Sequence, residues 1–166
     1  MNQPREDESA RIVRAWTHER PDLDASPMLV FSRLSRLSRH FDLLRRRAFA
    51  THELEPWEFD VLATLRRAGK PYSLTPGQLL AELLVSSGTM TNRIDRLEGR
   101  GLVVRGPAPS DRRAILVSLT EDGRTRVDSA LATLLNSERE LLEPLSTEER
   151  DRLAELLMPL LTVFEA

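Results

Sequence analysis

Side chains that donate hydrogen bonds or carry positive charge are concentrated between residues 87 and 113. The first group precedes Gly101 and consists of Ser87, Thr89, Thr91, Asn92 and Arg96. The second group is made of arginines, with one acid beside them, and consists of Arg105, Asp111, Arg112 and Arg113. Hydroxyl, amide and guanidinium groups of this kind can read the edges of base pairs and bind phosphate. An ordinary polar surface has the same composition, so the elements that carry these residues must decide between the two.

The first group lies on a segment with helical periodicity. Its apolar stripe is formed by Met90, Ile94 and Leu97. This stripe leaves the polar residues on other faces of the predicted helix. We expect Ser87 to cap the helix, which then runs over residues 88–100 and ends at Gly101.

A shorter helix is predicted just before it. Thr75 and Pro76 supply a capping residue and a proline at the first helical position, and the apolar periodicity continues to about Leu84. A turn through Val85 and Ser86 follows. Two helices joined by such a turn have the layout of a helix-turn-helix.

The helical periodicity of the apolar residues ends at Gly101, and short apolar runs typical of strands follow. Residues 102–104 and 114–119 are apolar or β-branched, and a polar segment with two prolines separates them, which predicts a hairpin with a long tip. Asp111 is close enough in sequence to hold the tip by a hydrogen bond to an arginine. A hairpin of this kind, called a wing, can enter a minor groove of DNA. In an ordinary hairpin the arginines would simply be exposed to solvent. Together with the helix pair, the hairpin predicts a winged helix-turn-helix.

Long helices flank this unit. Two helices are predicted before it, from Ser26-Pro27 to about Thr51 and from Pro56 to Gly69. The second of these has Trp57, Val61, Leu62 and Leu65 on its apolar face. Two more are predicted after it, one from Thr120 onward and one from a capping box at residues 146–149 onward. A monomeric bundle is one interpretation. The terminal helices carry more leucine than a small core needs, however, so we favour a two-fold dimer that presents two reading helices roughly 34 Å apart.

Charge is distributed unevenly along the chain. The net charge is −2, yet residues 86–113 hold six arginines and three acids, while residues 121–166 hold five arginines and eleven acids. Positive charge therefore collects on the predicted reading surface, as expected for a face that meets phosphate.

The sequence argues against an enzyme and a secreted protein. With 166 residues and 40% hydrophobic content, one core and one domain are expected. The absence of cysteine excludes disulfides and thiol sensing, and no signal segment or membrane-length apolar run occurs, so we expect a cytoplasmic protein. The histidines His18, His40 and His52 lie among arginines and acids, with no second ligand at zinc-helix spacing. We expect no cofactor and no metal.

Several motifs resemble one family of regulators. Asp111-Arg112-Arg113, followed by Leu119-Thr120 and Gly123, resembles the wing signature of the MarR (multiple antibiotic resistance regulator) family. Residues 87–94 resemble the recognition helix of that family, and the likeness extends over nearly the whole chain. An N-terminal helix with Trp16 and the block at residues 54–62 are similar to the urate-responsive branch.

The resemblance implies a mainly α fold with a small β-hairpin, in which a winged helix-turn-helix is flanked by long dimerisation helices. It implies one domain over 1–166, with N-terminal helices at 1–52, the winged unit at 55–120 and C-terminal helices at 121–166. The implied function is a homodimeric repressor, released from a palindromic double-stranded DNA operator by a small anionic ligand such as urate or a related purine. A winged-helix architectural or protein-interaction module without ligand response is the alternative.

The resemblance also places a ligand site on Trp16, Asp60 and Arg93. From spacing alone, a structural ion pair between Asp60 and Arg93 is the simpler interpretation. The branch resemblance favours an anion that repels Asp60 and attracts Arg93. Ala68 stands where a fourth polar contact is expected, so an anionic aromatic or carboxylate ligand fits better than urate alone.

Overall fold

The computed structural model describes residues 6–107 and 115–165. This part of the chain forms seven α-helices and three short β-strands. They are α1 (Glu8–Glu19), α2 (Pro27–Ala50), α3 (Pro56–Arg67), β1 (Ser73–Leu74), α4 (Pro76–Leu83), α5 (Ser87–Gly99), β2 (Val103–Pro107), β3 (Ile115–Leu119), α6 (Glu121–Leu141) and α7 (Thr147–Glu165). The chain divides into two compact units, Met1–Arg45 and Arg46–Ala166. The mainly α fold is confirmed.

Ion pairs join α1 to α2 within the first unit. Asp7 caps α1 by accepting a hydrogen bond from the backbone of Ala10 at 2.9 Å. Its carboxylate also accepts from Arg33 Nε at 2.7 Å, and Glu8 accepts from Arg36 Nη1 at 2.6 Å. The first turn of α1 is therefore held on α2 by charge-assisted hydrogen bonds.

The second unit has an apolar core built around α3. The rings of Phe49 and Phe59 are stacked, with centroids 4.0 Å apart. Most of α3 is buried, as predicted for Val61, Leu62 and Leu65. The other buried side chains come mainly from α4, α5, the sheet and α6, and they include Leu79, Met90, Ile94, Leu97, Leu102, Val103, Val117 and Val127.

The cap of α5 lies one residue earlier than predicted. Ser86, with extended backbone angles, accepts a hydrogen bond from the backbone of Thr89, whereas Ser87 is already helical. Either serine could satisfy the first-turn N–H groups, and the backbone conformation selects Ser86. The C-terminal end of α5 is as expected. Gly101 follows it with a φ of +70°, a left-handed conformation that glycine adopts readily after a helix.

The strands form a three-stranded sheet rather than a hairpin alone. The predicted hairpin is present as β2 and β3, with Val104 opposite Ser118. β1 adds to the other edge of β3 and places Leu74 opposite Val117. A two-residue strand is too short to leave a periodic pattern, which is why the sequence did not predict it. The tip lies outside the described residues, and so do Asp111, Arg112 and Arg113.

The C-terminal helices begin where the sequence predicts. Thr120 caps α6 by accepting from the backbone of Gly123 at 3.0 Å. Ser146 and Glu149 form the predicted capping box of α7. Large apolar side chains on these helices are exposed, among them Leu131, Leu135, Leu153, Leu156, Met158, Leu161 and Phe164. Among the described helices, none has the length and apolar character needed to cross a membrane.

Candidate nucleic-acid interface

Helix α5 presents polar side chains on a face that adjoins its buried stripe. Thr89, Asn92 and Arg96 are exposed and Arg93 is half-buried, and their spacing of three and four residues places them on one face. Met90, Ile94 and Leu97 are buried beneath. A helix held in this way can enter a major groove with its polar face outward.

The two other predicted contacts of α5 lie near this face. Ser87 is exposed in the first turn, where its own backbone N–H has no helical partner. Thr91 is exposed as well, but its hydroxyl donates to the backbone oxygen of Ser87 at 3.1 Å. Thr91 therefore offers oxygen lone pairs and a methyl group to a partner, rather than a hydroxyl proton.

Trp57, in the first turn of α3, lies under the arginines of α5. The guanidinium carbon of Arg96 is 4.7 Å from the centroid of the Trp57 ring, and that of Arg93 is 5.6 Å away. Both distances fall within the range of cation–π attraction. The same residues line an open cavity of about 430 Å³, together with Gly88, Thr89 and Asn92.

The prediction that Trp57 belongs to the apolar face of α3 is therefore wrong in part. Its ring is half-buried and faces the reading helix, while Val61, Leu62 and Leu65 enter the core. Trp57 directly follows Pro56, so the sequence places it in the first turn of α3 but does not say whether its ring is buried. Its partner could not be read from the sequence, since α3 and α5 are far apart in the chain.

Arg105 ties the wing to α5. It lies in β2 rather than at the tip, and its guanidinium donates to Asp95 at 2.5 Å and to Glu98 at 2.7 Å. Its backbone N–H also donates to Glu98 at 3.0 Å. These contacts raise the pKa of Arg105, mainly through the hydrogen bond to Asp95. The charge of Arg105 is thus balanced within the protein, and a direct DNA contact by this residue stays a prediction.

Arg100 connects the end of α5 to the start of α3. It donates to the buried carboxylate of Glu58 at 2.5 Å and to the backbone oxygen of Glu53 at 2.7 Å. Within the described residues, Arg93 and Arg96 contact Trp57 and no carboxylate. Among the described arginines of residues 86–107, Arg93 and Arg96 are therefore available for phosphate or base edges.

The predicted ligand residues do not form the ion pair suggested by spacing. Arg93 lies over Trp57 and forms no ion pair with Asp60 in the part of the chain that the structure describes. The backbone oxygen of Asp60 accepts from the Thr64 hydroxyl at 2.8 Å within α3. Trp16 belongs to the first unit, on α1, and its side chain is 51% exposed.

The histidines give no catalytic or metal-binding arrangement in the described residues. His52 forms a hydrogen bond with the hydroxyl of Thr133 at 2.8 Å, which joins the end of α2 to α6. Groups of three side chains able to hold a metal ion are not found within residues 6–107 and 115–165.

An exposed reading helix, packed on a preceding helix and followed by a β-hairpin, defines a winged helix-turn-helix protein. The chain belongs to the MarR family. The family model described as "MarR family" matches residues 52–114. The HTH-type transcriptional regulator PecS of Dickeya dadantii is 41% identical over 150 residues, which cover 90% of each chain.

Solved structures agree with this family. A mutant MarR from E. coli complexed with operator DNA has a TM-score of 0.67 and 26% identity, covering 88% of this chain and 97% of that one. BpsR from Bordetella bronchiseptica has a TM-score of 0.64 and 25% identity, covering 79% of this chain and 91% of that one. Its DNA binding is regulated by 6-hydroxynicotinic acid. These relatives are DNA-binding regulators and not enzymes.

Proposed function

We propose that the protein is a transcriptional repressor that binds a pseudo-palindromic operator as a homodimer and leaves it when a small anionic aromatic ligand binds. The observation that carries the DNA-binding part is the polar face of α5, with Thr89, Asn92, Arg93 and Arg96 directed away from the core. In this proposal α5 enters the major groove and the wing enters the flanking minor groove. A mutant MarR of similar fold is known in complex with operator DNA, which supports DNA binding as the function of this fold.

Dimerisation is proposed from the apolar surface of α7. Leu156, Leu161 and Phe164 are 56%, 57% and 87% exposed in the single chain. An exposed apolar surface of this extent marks an interaction site. A two-fold partner would cover it and place a second reading helix one DNA turn away, roughly 34 Å along the duplex.

The ligand class is proposed from Arg93. Within the described residues this arginine contacts an aromatic ring and pairs with no carboxylate, so the approach of an anion breaks no ion pair there. A planar anion that draws Arg93 away from Trp57 would change the polar face of α5 and weaken DNA binding. BpsR, regulated by an aromatic carboxylic acid, supports this class, and urate is one member to be tested. Trp16 and Asp60 are proposed to bind the ligand on the basis of sequence resemblance.

Binding of an operator duplex at several salt concentrations tests the DNA-binding part. The wing arginine Arg113 is proposed to contact DNA, so Arg113→Ala should weaken affinity by about 1 to 3 kcal/mol and lower the salt slope. The exposed Arg139 of α6 donates to Asn136 within its own helix and provides the control Arg139→Ala. Unchanged affinity and slope in Arg113→Ala would refute the wing contact.

Release of the operator tests the ligand part. Urate, xanthine and 6-hydroxynicotinate are added to the preformed complex, and Arg93→Ala and Trp16→Ala should each blunt the response while the fold is retained. If none of the anions releases DNA at millimolar concentration, the ligand assignment is wrong, and the DNA-binding proposal is unaffected.

A further inference from the structure

Trp57 is shared by two arginines of the reading helix. Arg96 and Arg93 lie 4.7 Å and 5.6 Å from the ring centroid, and they are three residues apart on the same helix. Two guanidinium groups at that spacing repel one another. The negative face of an indole ring attracts both, so Trp57 offsets a repulsion that would otherwise spread the two side chains.

The helix turn that carries the ring is held by hydrogen bonds. Pro56 opens α3 immediately before it, and the backbone N–H of Glu55 donates to the carboxylate of Glu58 at 2.9 Å, which completes a capping box. Glu58 is buried and also accepts from Arg100 at the end of α5. The turn that carries Trp57 is thus fixed by contacts both within α3 and to α5.

We propose that Trp57 is a positioning residue for DNA binding, which holds Arg96, and with it Arg93, in the orientation that α5 presents to a duplex. This inference rests on the DNA-binding function proposed above. An arginine side chain loses much rotamer freedom when it is immobilised, and a pre-ordered guanidinium loses less of it on binding. Trp57 would therefore raise DNA affinity through side chains other than its own.

Two substitutions of Trp57 distinguish the effect of its aromatic ring from the effect of its size. Trp57→Leu removes the π system and should weaken operator affinity about 3- to 10-fold, whereas Trp57→Phe retains a ring and should keep most of it. Tyr72→Leu is the matched control, because the ring of Tyr72 lies under Arg66 of α3, 4.8 Å from the centroid, and not under an arginine of α5. Thermal unfolding of each variant verifies that it is folded before its affinity is compared.

A double-mutant cycle with Arg96→Ala distinguishes positioning from a structural role. If Trp57 acts through Arg96, Trp57→Leu should cost much less affinity in the Arg96→Ala protein than in the native one. Equal losses in both backgrounds would overturn the proposal, as would a folded Trp57→Leu protein that binds like the native one. If the native protein binds no duplex selectively, the proposed function is wrong, and the positioning role of Trp57 is rejected with it.

Discussion

The buried carboxylate of Glu58 accepts a hydrogen bond from Arg100 at 2.5 Å, which joins the first turn of α3 to the end of α5. Glu58 is 1% exposed, and it also accepts from the backbone of Glu55. The orientation of the reading helix on its scaffold therefore depends on a polar contact as well as on the apolar stripe of α5.

Replacing Arg100 by alanine should destabilise the protein. The substitution removes a charge-assisted hydrogen bond from a carboxylate that cannot reach water easily, at a cost of about 2 kcal/mol, a figure reduced because Arg100 is itself partly exposed. Urea unfolding at fixed protein concentration measures the loss. Arg139→Ala, an exposed change on α6, should leave the free energy of unfolding within about 0.5 kcal/mol. Equal stability of the two variants would contradict this role of the Glu58 contact.

Gly123 allows α6 to approach the backbone between α5 and the wing. A Cβ at this position would lie only 2.0 Å from the carbonyl oxygen of Leu102. Gly123→Ala should therefore cost about 2 kcal/mol or more, because a backbone atom must move. A Cβ at Gly99 meets nothing within 4 Å, so Gly99→Ala is the control and should be neutral or slightly stabilising in the same unfolding experiment. A neutral Gly123→Ala variant would show that this close approach is not required.

Acid should loosen α1 within the first unit. The hydrogen bond from Arg33 holds the pKa of Asp7 below its ordinary value, and the hydrogen bond from Arg36 does the same for the pKa of Glu8. Because folding lowers both pKa values, their contribution to stability is complete above the ordinary carboxyl range near about pH 4 and is lost as the pH falls below it.

Hydrogen-exchange protection of the α1 amides measures this effect. Protection should fall on acidification from about pH 6 to pH 3. Asp7→Asn keeps a capping oxygen but not the charge, so it should lower protection at the higher pH and reduce the dependence on pH. Constant protection in the native protein across this range would contradict the proposed contribution of the two carboxylates.

A charge on the apolar face of α7 should separate the proposed dimer. Leu156 is 56% exposed in the single chain, so Leu156→Glu should leave the subunit folded while it places a carboxylate in the interface. Sedimentation should show monomers. Operator affinity should fall at least about 10-fold, because each subunit then binds a single half-site independently. Asp151→Lys, an exposed change of charge in the same helix that is neither three nor four residues from Leu156, is the control. Tight operator binding by a monomeric variant would refute the dimer proposal.

Local sequence signals predicted the elements well. Thr75, Thr120 and the Ser146–Glu149 box each cap the expected helix, because a cap depends on residues only three positions apart. The short strand β1 and the cap at Ser86 were missed, since two residues carry no period and adjacent serines are chemically equivalent.

Contacts between distant segments could not be predicted in this way. The polar face of α5 follows from helical spacing alone, but the positions of Trp57 beneath Arg96 and of Arg105 beside Asp95 depend on how α3 and β2 pack against α5. Spacing suggested instead an ion pair between Asp60 and Arg93, and tertiary packing gave Arg93 an aromatic partner.

The most direct test of the central claim compares the affinity of the native protein for two duplexes. One is a palindrome enriched from random sequence by the protein itself, and the other has the same length and composition in scrambled order. A sequence-reading α5 predicts binding at least about 1,000-fold tighter to the palindrome at physiological salt. Comparable affinities for the two duplexes would contradict the repressor account and favour a winged-helix module that does not read sequence.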